Sequence, residues 1–225
     1  MLARLMYFAG WLGSLLYATL YHRYRVYGRR HCPPAGRGAV LAANHASYVD
    51  PTLIGIAFWH RIWYLARTTL FERSRLIRWV LLNISAIPVS RERLDLTTLR
   101  YLQQLCARGQ QIVIFPEGTR TPDGALHAAH AGVGLLADAL KVDIVPVYLH
   151  GTFAAFPRHS AWPRPRQVVA CFGPPLPIAA YHALPRGRAR YECIANDIMA
   201  AIARLQTGLL RLQRRRHRTK ANTNG

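Results

Sequence analysis

Lysine is almost absent from this chain: of its 30 basic residues, only Lys141 and Lys220 are not arginine. Acids are scarce too, ten against those thirty, so the formal charge at neutral pH is +20. So lopsided a balance implies an anionic partner: nucleic acid, an acidic membrane or a phosphorylated substrate. Codon bias also enriches arginine, so clusters of charge carry more weight than the total. Cysteine is limited to Cys32, Cys106, Cys171 and Cys193, with no C-x-x-C pair and no His/Cys set at ligand spacing. That argues against a disulfide framework and against a bound metal, and a reducing compartment is the simplest setting. No G-x-S-x-G is present, which removes the nucleophile elbow of the α/β-hydrolases. Zinc-finger, RNA-recognition and homeodomain patterns are missing as well, and the basic residues are not confined to one helix, so nucleic acid is the weakest of the three partners.

What is present is a chain of 225 residues, 51% of them apolar, enough for one full-sized core. Its first unusual stretch is Leu5 to Tyr21, 17 residues without a charge, followed by His22, Arg23, Arg25, Arg29 and Arg30. As a helix those residues reach about 25 Å, slightly short of a bilayer core. A signal peptide would put its basic residues first and carry a small-residue cleavage site. A single span with a cytoplasmic basic flank is one reading. A helix lying in one leaflet fits better, because Tyr7, Trp11, Tyr17 and Tyr21 suit the interface. The Cys32–Gly38 turn signals then open an alternation of short apolar strands and helices. Strands are expected at 38–44, 62–66, 86–89, 111–115, 144–149 and 167–172. Helices are expected at 51–59, 75–82, 95–106, 130–140 and 186–215. This pattern predicts an α/β fold: a single domain with a largely parallel mixed sheet flanked by helices, preceded by a membrane-associated N-terminal helix. The expected division is 1–30 for the N-terminal element, 31–210 for the domain and 211–225 for a basic, disordered tail.

Chemistry concentrates where strands end. In "NHASYVD", His45 follows a strand and Asp50 precedes Pro51. A D-P pair commonly caps a helix. Positions i and i+5 do not share a helix face, but a strand–loop–helix corner can fold His45 back onto Asp50, making an oriented general base. Both readings stand on the residues alone. In "FPEGTR", Glu117 suits hydroxyl groups, Gly118 permits a tight turn, and Arg120 offers a planar fork for phosphate. A turn with a solvated charge is the plainer reading of that block. "SAIPVSR" ends in Arg91, and "IVPVYLHG" follows at Ile144 to Gly151.

In this order and over about half the chain, the four blocks resemble the glycerophospholipid acyltransferases, lysophosphatidate acyltransferases above all. N-H-x-x-x-x-D matches at Asn44, His45 and Asp50, G-x-I-P-V-x-R at 85–91, F-P-E-G-T-R at 115–120, and V-P-V at 145–147. The resemblance implies transfer of a fatty acyl group from acyl-CoA or acyl-carrier protein to lysophosphatidic acid, with no cofactor beyond the donor. His45 would be the base and Asp50 its orienter. Arg91, Glu117, Gly118, Thr119, Arg120 and His130 would bind the acceptor, the arginines its phosphate and Glu117 its glycerol region. Membrane lipids, and an anionic surface reached from the cytoplasmic side, would be the partners. Three positions depart from the pattern: Ser85 replaces glycine, Thr121 replaces serine, and His130 stands where lysine is usual. The last leaves other acceptors open, a lyso-aminolipid or glycerol 3-phosphate. Six basic residues from Arg211 to Lys220 read either as a solvated helix end or as a polybasic patch for anionic lipid.

Overall fold

The computed structural model describes residues 2–89, 95–130 and 132–223. Seven strands form one sheet: β1 (Arg25–Tyr27), β2 (Ala39–Ala43), β3 (Trp63–Arg67), β4 (Ala86–Val89), β5 (Gln111–Ile114), β6 (Ile144–His150) and β7 (Val169–Phe172). Their order is β1-β7-β6-β2-β5-β3-β4, every pair parallel except β6 with β7. The mixed, largely parallel sheet expected from the alternation is therefore present. The central strand β2 is buried along its whole length. Its side chains alternate between two cores, Val40 and Ala42 on one face and Leu41 and Ala43 on the other, as the period of two requires. Helices α5 (Leu96–Ala107), α6 (Gly132–Leu140) and α8 (Arg188–Thr223) cover the first face through Leu102, Leu105, Ala137, Ile194, Ile198 and Ile202. The second face is covered by α2 (Asp50–Gly55) and the residues after it, through Ile54, Ala57 and Phe58.

The N-terminal segment lies against the sheet and its helices. Helix α1 (Leu2–His22) packs through Trp11, Leu15 and Ala18 against Leu53 and Ile56, and β1 joins the sheet edge beside β7. Trp11 anchors this packing by donating its indole N–H to the Phe58 carbonyl at 2.8 Å. On the outer side of α1, Phe8, Leu12, Leu16 and Leu20 are exposed, an apolar row at every fourth residue. Among the described residues no helix is long and apolar enough to cross a membrane. At the other end, α8 runs unbroken through the basic stretch expected to be disordered. The reason lies in composition: from Leu209 to Arg216 the run is only Leu, Arg and Gln, good helix formers, and no proline follows before Thr223.

Short α3 (Thr68–Glu72) and α4 (Arg75–Asn83) connect β3 to β4, and short α7 (Thr152–Ala155) follows β6. Ser85, just past α4, takes φ = 63°, the left-handed conformation that favours glycine at a helix end. The glycine of the resembled pattern thus has a backbone reason, and Ser85 meets it at a cost.

Candidate active site

Parallel strands β2 and β5 lie side by side, Ala42 opposite Ile114, and both deliver their following loops to one edge of the sheet. Open α/β sheets bind ligands at this carboxyl edge. Asn44 leaves β2 first. Its side-chain amide pairs with the Leu149 backbone in both directions, donating at 3.1 Å and accepting at 2.7 Å. This pair of hydrogen bonds ties the start of the loop to β6.

His45 comes next, and the loop does fold it back onto Asp50. Nδ1 of His45 lies 2.8 Å from Asp50 Oδ2. The same oxygen accepts from the backbone N–H groups of Ala46 at 2.6 Å and Ser47 at 2.7 Å. Asp50 is fully buried. It is the first residue of α2, yet its side chain turns away from the helix and holds the loop, so the capping reading of the D-P pair gives way. An ionised carboxylate only accepts. Nδ1 therefore carries the proton when His45 is neutral, and Nε2 keeps its lone pair. Ser47, too, is a strut rather than a nucleophile: its hydroxyl donates to the Phe156 carbonyl at 2.7 Å and accepts from Val49 N–H at 3.3 Å.

The loop after β5 closes over the same histidine. The Phe115 ring stacks on the imidazole. Glu117 Oε1 accepts from the His45 backbone N–H at 3.3 Å, and Thr121 N–H donates to the His45 carbonyl at 2.8 Å. Burial pushes the Glu117 carboxyl up to about 7. Gly118 turns the chain at φ = 64°, and its carbonyl accepts from Arg67 at 2.8 Å. Thr119 is exposed at the loop surface. Arg120 lies over the Tyr48 ring, 3.5 Å from its centroid, and holds the pKa of that phenol below its usual value by its hydrogen bond and its charge. His130 donates its backbone N–H to the Pro116 carbonyl at 2.7 Å and packs its ring against Gly118. Arg91 lies outside the described residues.

The structure thus brings His45, Asp50, Glu117, Gly118, Arg120 and His130 to one corner, with Thr119 on its surface. Sequence reasoning missed Phe115, Tyr48 and the backbone role of Thr121. Phe115 and Tyr48 were readable only as aromatics within the two blocks, and Thr121 acts through its amide, which no side chain announces. Among the described residues no group of three or more His, Cys, Asp or Glu side chains is placed to hold a metal ion.

A family model described as Acyltransferase matches residues 23–150, which contain this whole corner, and the chain belongs to that family. A chloroplastic 1-acyl-sn-glycerol-3-phosphate acyltransferase of Arabidopsis thaliana is 27% identical over 143 residues, 62% of this chain and 39% of the relative. A 1-acyl-sn-glycerol-3-phosphate acyltransferase of Bacillus subtilis is 30% identical over 131 residues, 56% of this chain and 62% of the relative. The chain therefore spans less than two thirds of either curated relative. The crystal structure of the 1-acyl-sn-glycerophosphate (LPA) acyltransferase PlsC from Thermotoga maritima shares the fold at a TM-score of 0.64 and 22% identity, over 81% of this chain and 72% of that one.

Proposed function

We propose that this chain transfers a fatty acyl group from acyl-CoA or acyl-carrier protein to the free hydroxyl of lysophosphatidic acid, giving phosphatidic acid. One observation carries the reading: the buried Asp50 oxygen that gathers the His45 ring together with two loop amides. His45 Nε2 takes the hydroxyl proton as the acceptor oxygen attacks the thioester carbonyl carbon. The C–O bond forms, the tetrahedral adduct collapses, the C–S bond breaks, and the thiolate receives the proton from the imidazolium. Asp50 steadies the charged ring through this cycle, and no acyl-enzyme forms. A thiolate leaves far more readily than an amine, so one oriented base suffices. Arg120, beside Gly118, Thr119 and His130, supplies charge for the acceptor phosphate, and Arg91 is the second cation assigned to it.

The names of the relatives support the acceptor. His130 in place of a lysine favours a second reading, the same transfer to a lyso-aminolipid or to glycerol 3-phosphate. The exposed apolar row on α1 supports work at a membrane, with the helix flat in one leaflet, and the arginines after it support the cytoplasmic face. The test is a panel of lysolipids and glycerol 3-phosphate, each offered with both donor types to the purified full chain. Fastest turnover with lysophosphatidic acid is expected. A faster alternative acceptor moves the reading to that acceptor, and no transfer to any of them overturns it.

A further inference from the structure

Glu117 occupies the block whose resemblance implies a contact to the acceptor's glycerol, but its carboxyl is turned the other way. The residue is 9% exposed. Oε1 accepts from the His45 backbone N–H, and Oε2 is buried without a hydrogen-bond partner. A carboxyl meant to receive substrate hydroxyls presents its oxygens to the cleft. This one instead faces the chain segment that carries the base, under the loop. Thr121 N–H holds the carbonyl of the same residue. The loop after β5 therefore grips both backbone polar groups of His45, while Asp50 and Phe115 fix its ring.

We propose that Glu117 is a positioning residue: it fixes the backbone of His45, and with it the direction of Nε2, and does not bind the acceptor. The inference rests on the acyl-transfer reading above. What the role needs is an oxygen acceptor at the right reach, not a negative charge. A neutral carboxyl still accepts through its carbonyl oxygen, and burial favours that neutral form. The amide of glutamine has the same reach and an oxygen acceptor. Aspartate keeps the charge but is one methylene shorter.

The experiment compares Glu117→Gln, Glu117→Ala and Glu117→Asp in the full chain, with acyl-CoA as donor and lysophosphatidic acid as acceptor. Displacing a base by about 1 Å costs on the order of 10²-fold in rate. The alanine and aspartate variants should lose kcat on that scale while KM for the acceptor changes less than about twofold. Glutamine should recover most of the lost kcat. Hydrogen exchange at the His45 amide gives a readout independent of turnover: protection should persist in Glu117→Gln and fall in Glu117→Ala. A raised acceptor KM in all three variants, with glutamine no better than alanine, overturns the inference. So does unchanged His45 protection in Glu117→Ala. If the alanine variant fails to fold, glutamine against aspartate decides the same question. A wild-type chain that transfers to no acceptor overturns the acyl-transfer reading and the catalytic part of this inference with it, whereas wild-type activity with the wrong variant pattern overturns the inference alone.

Discussion

The Phe115 ring lies nearly flat on the His45 imidazole, with centroids 4.0 Å apart and planes 20° from parallel. Nδ1 of that imidazole is bonded to Asp50, so the bond and the stack together hold the ring's orientation. Phe115→Ala should lower kcat by about tenfold or more, since orientation of a reacting group governs rate. Phe115→Tyr keeps the stack and should retain most activity. Steady-state kinetics on the two variants checks this, with far-UV circular dichroism to establish that both fold.

His45→Ala should reduce acyl transfer by roughly 10²–10⁴, the scale of losing a general base. Asp50→Asn should leave a detectable remainder, because the side chain keeps its shape and one oxygen. It should also destabilise the chain by about 1–3 kcal/mol, since three donors now converge on a weaker, neutral acceptor. Turnover measurements and urea melts of the two variants test both halves, and full activity in His45→Ala would sink the mechanism.

Stability should report the buried acid as well. The Glu117 carboxyl titrates near 7 in the folded chain, above its ordinary value of 4.5, because burial penalises the charge. Between those two values the folded state holds more protons than the unfolded one, so this group's contribution falls as pH rises from about 4.5 through about 7. His22 and His150, both lowered by burial, act in the opposite direction as pH falls below their ordinary range. The difference between wild type and Glu117→Gln isolates the acid. The glutamine variant should gain in melting temperature relative to wild type as pH goes from 5 to 8. A difference independent of pH would contradict it.

Ser85 is buried in the left-handed region, and its hydroxyl has no hydrogen-bond partner. Ser85→Gly removes both penalties and should stabilise the chain by about 1 kcal/mol. For a chain of this size that is roughly 2–4 °C in Tm. Calorimetry on the two proteins, at one pH, measures it.

The row on α1 predicts a surface effect without a folding effect. Replacing Leu12, Leu16 and Leu20 together with serine touches only exposed positions. Flotation with anionic vesicles should fall sharply in this variant at both low and high salt, because the lost term is apolar. Replacing Arg211, Arg214 and Arg215 with glutamine should weaken binding chiefly at low salt. Equal flotation of the leucine variant and wild type would remove α1 from the membrane reading.

Most of the strands that the alternation foretold are buried along their length, such as 111–114 and 144–149, where apolar runs bounded by turns leave little choice. The three residues of β1 carry an arginine and no readable period, so their place beside β7 could not be seen locally. The four motif blocks announced the corner itself, down to His45 and Asp50. They did not announce which way Glu117 faces, because its partner is a backbone amide, and an amide leaves no mark in the sequence. Of the two readings of the basic tail, the helix end is the one α8 displays, since arginine is a good helix former.

The pairing of β1 with β7 sets a schedule for the growing chain. Arg25 lies opposite Val169, so almost the entire domain must be synthesised before the edge strand has a partner. Parallel pairing across so long a loop is slow to close. During that interval α1 has emerged, while Ala155 and Val168, part of the surface it later packs against, have yet to be made. Trp11 and Leu15 can already meet Leu53, Ile56 and Phe58, but the part of α1 that will rest on Ala155 and Val168 is still open to a lipid surface, and the docking of the sheet edge closes it. A ribosome paused short of β7 therefore holds a stickier N-terminus than the finished protein presents.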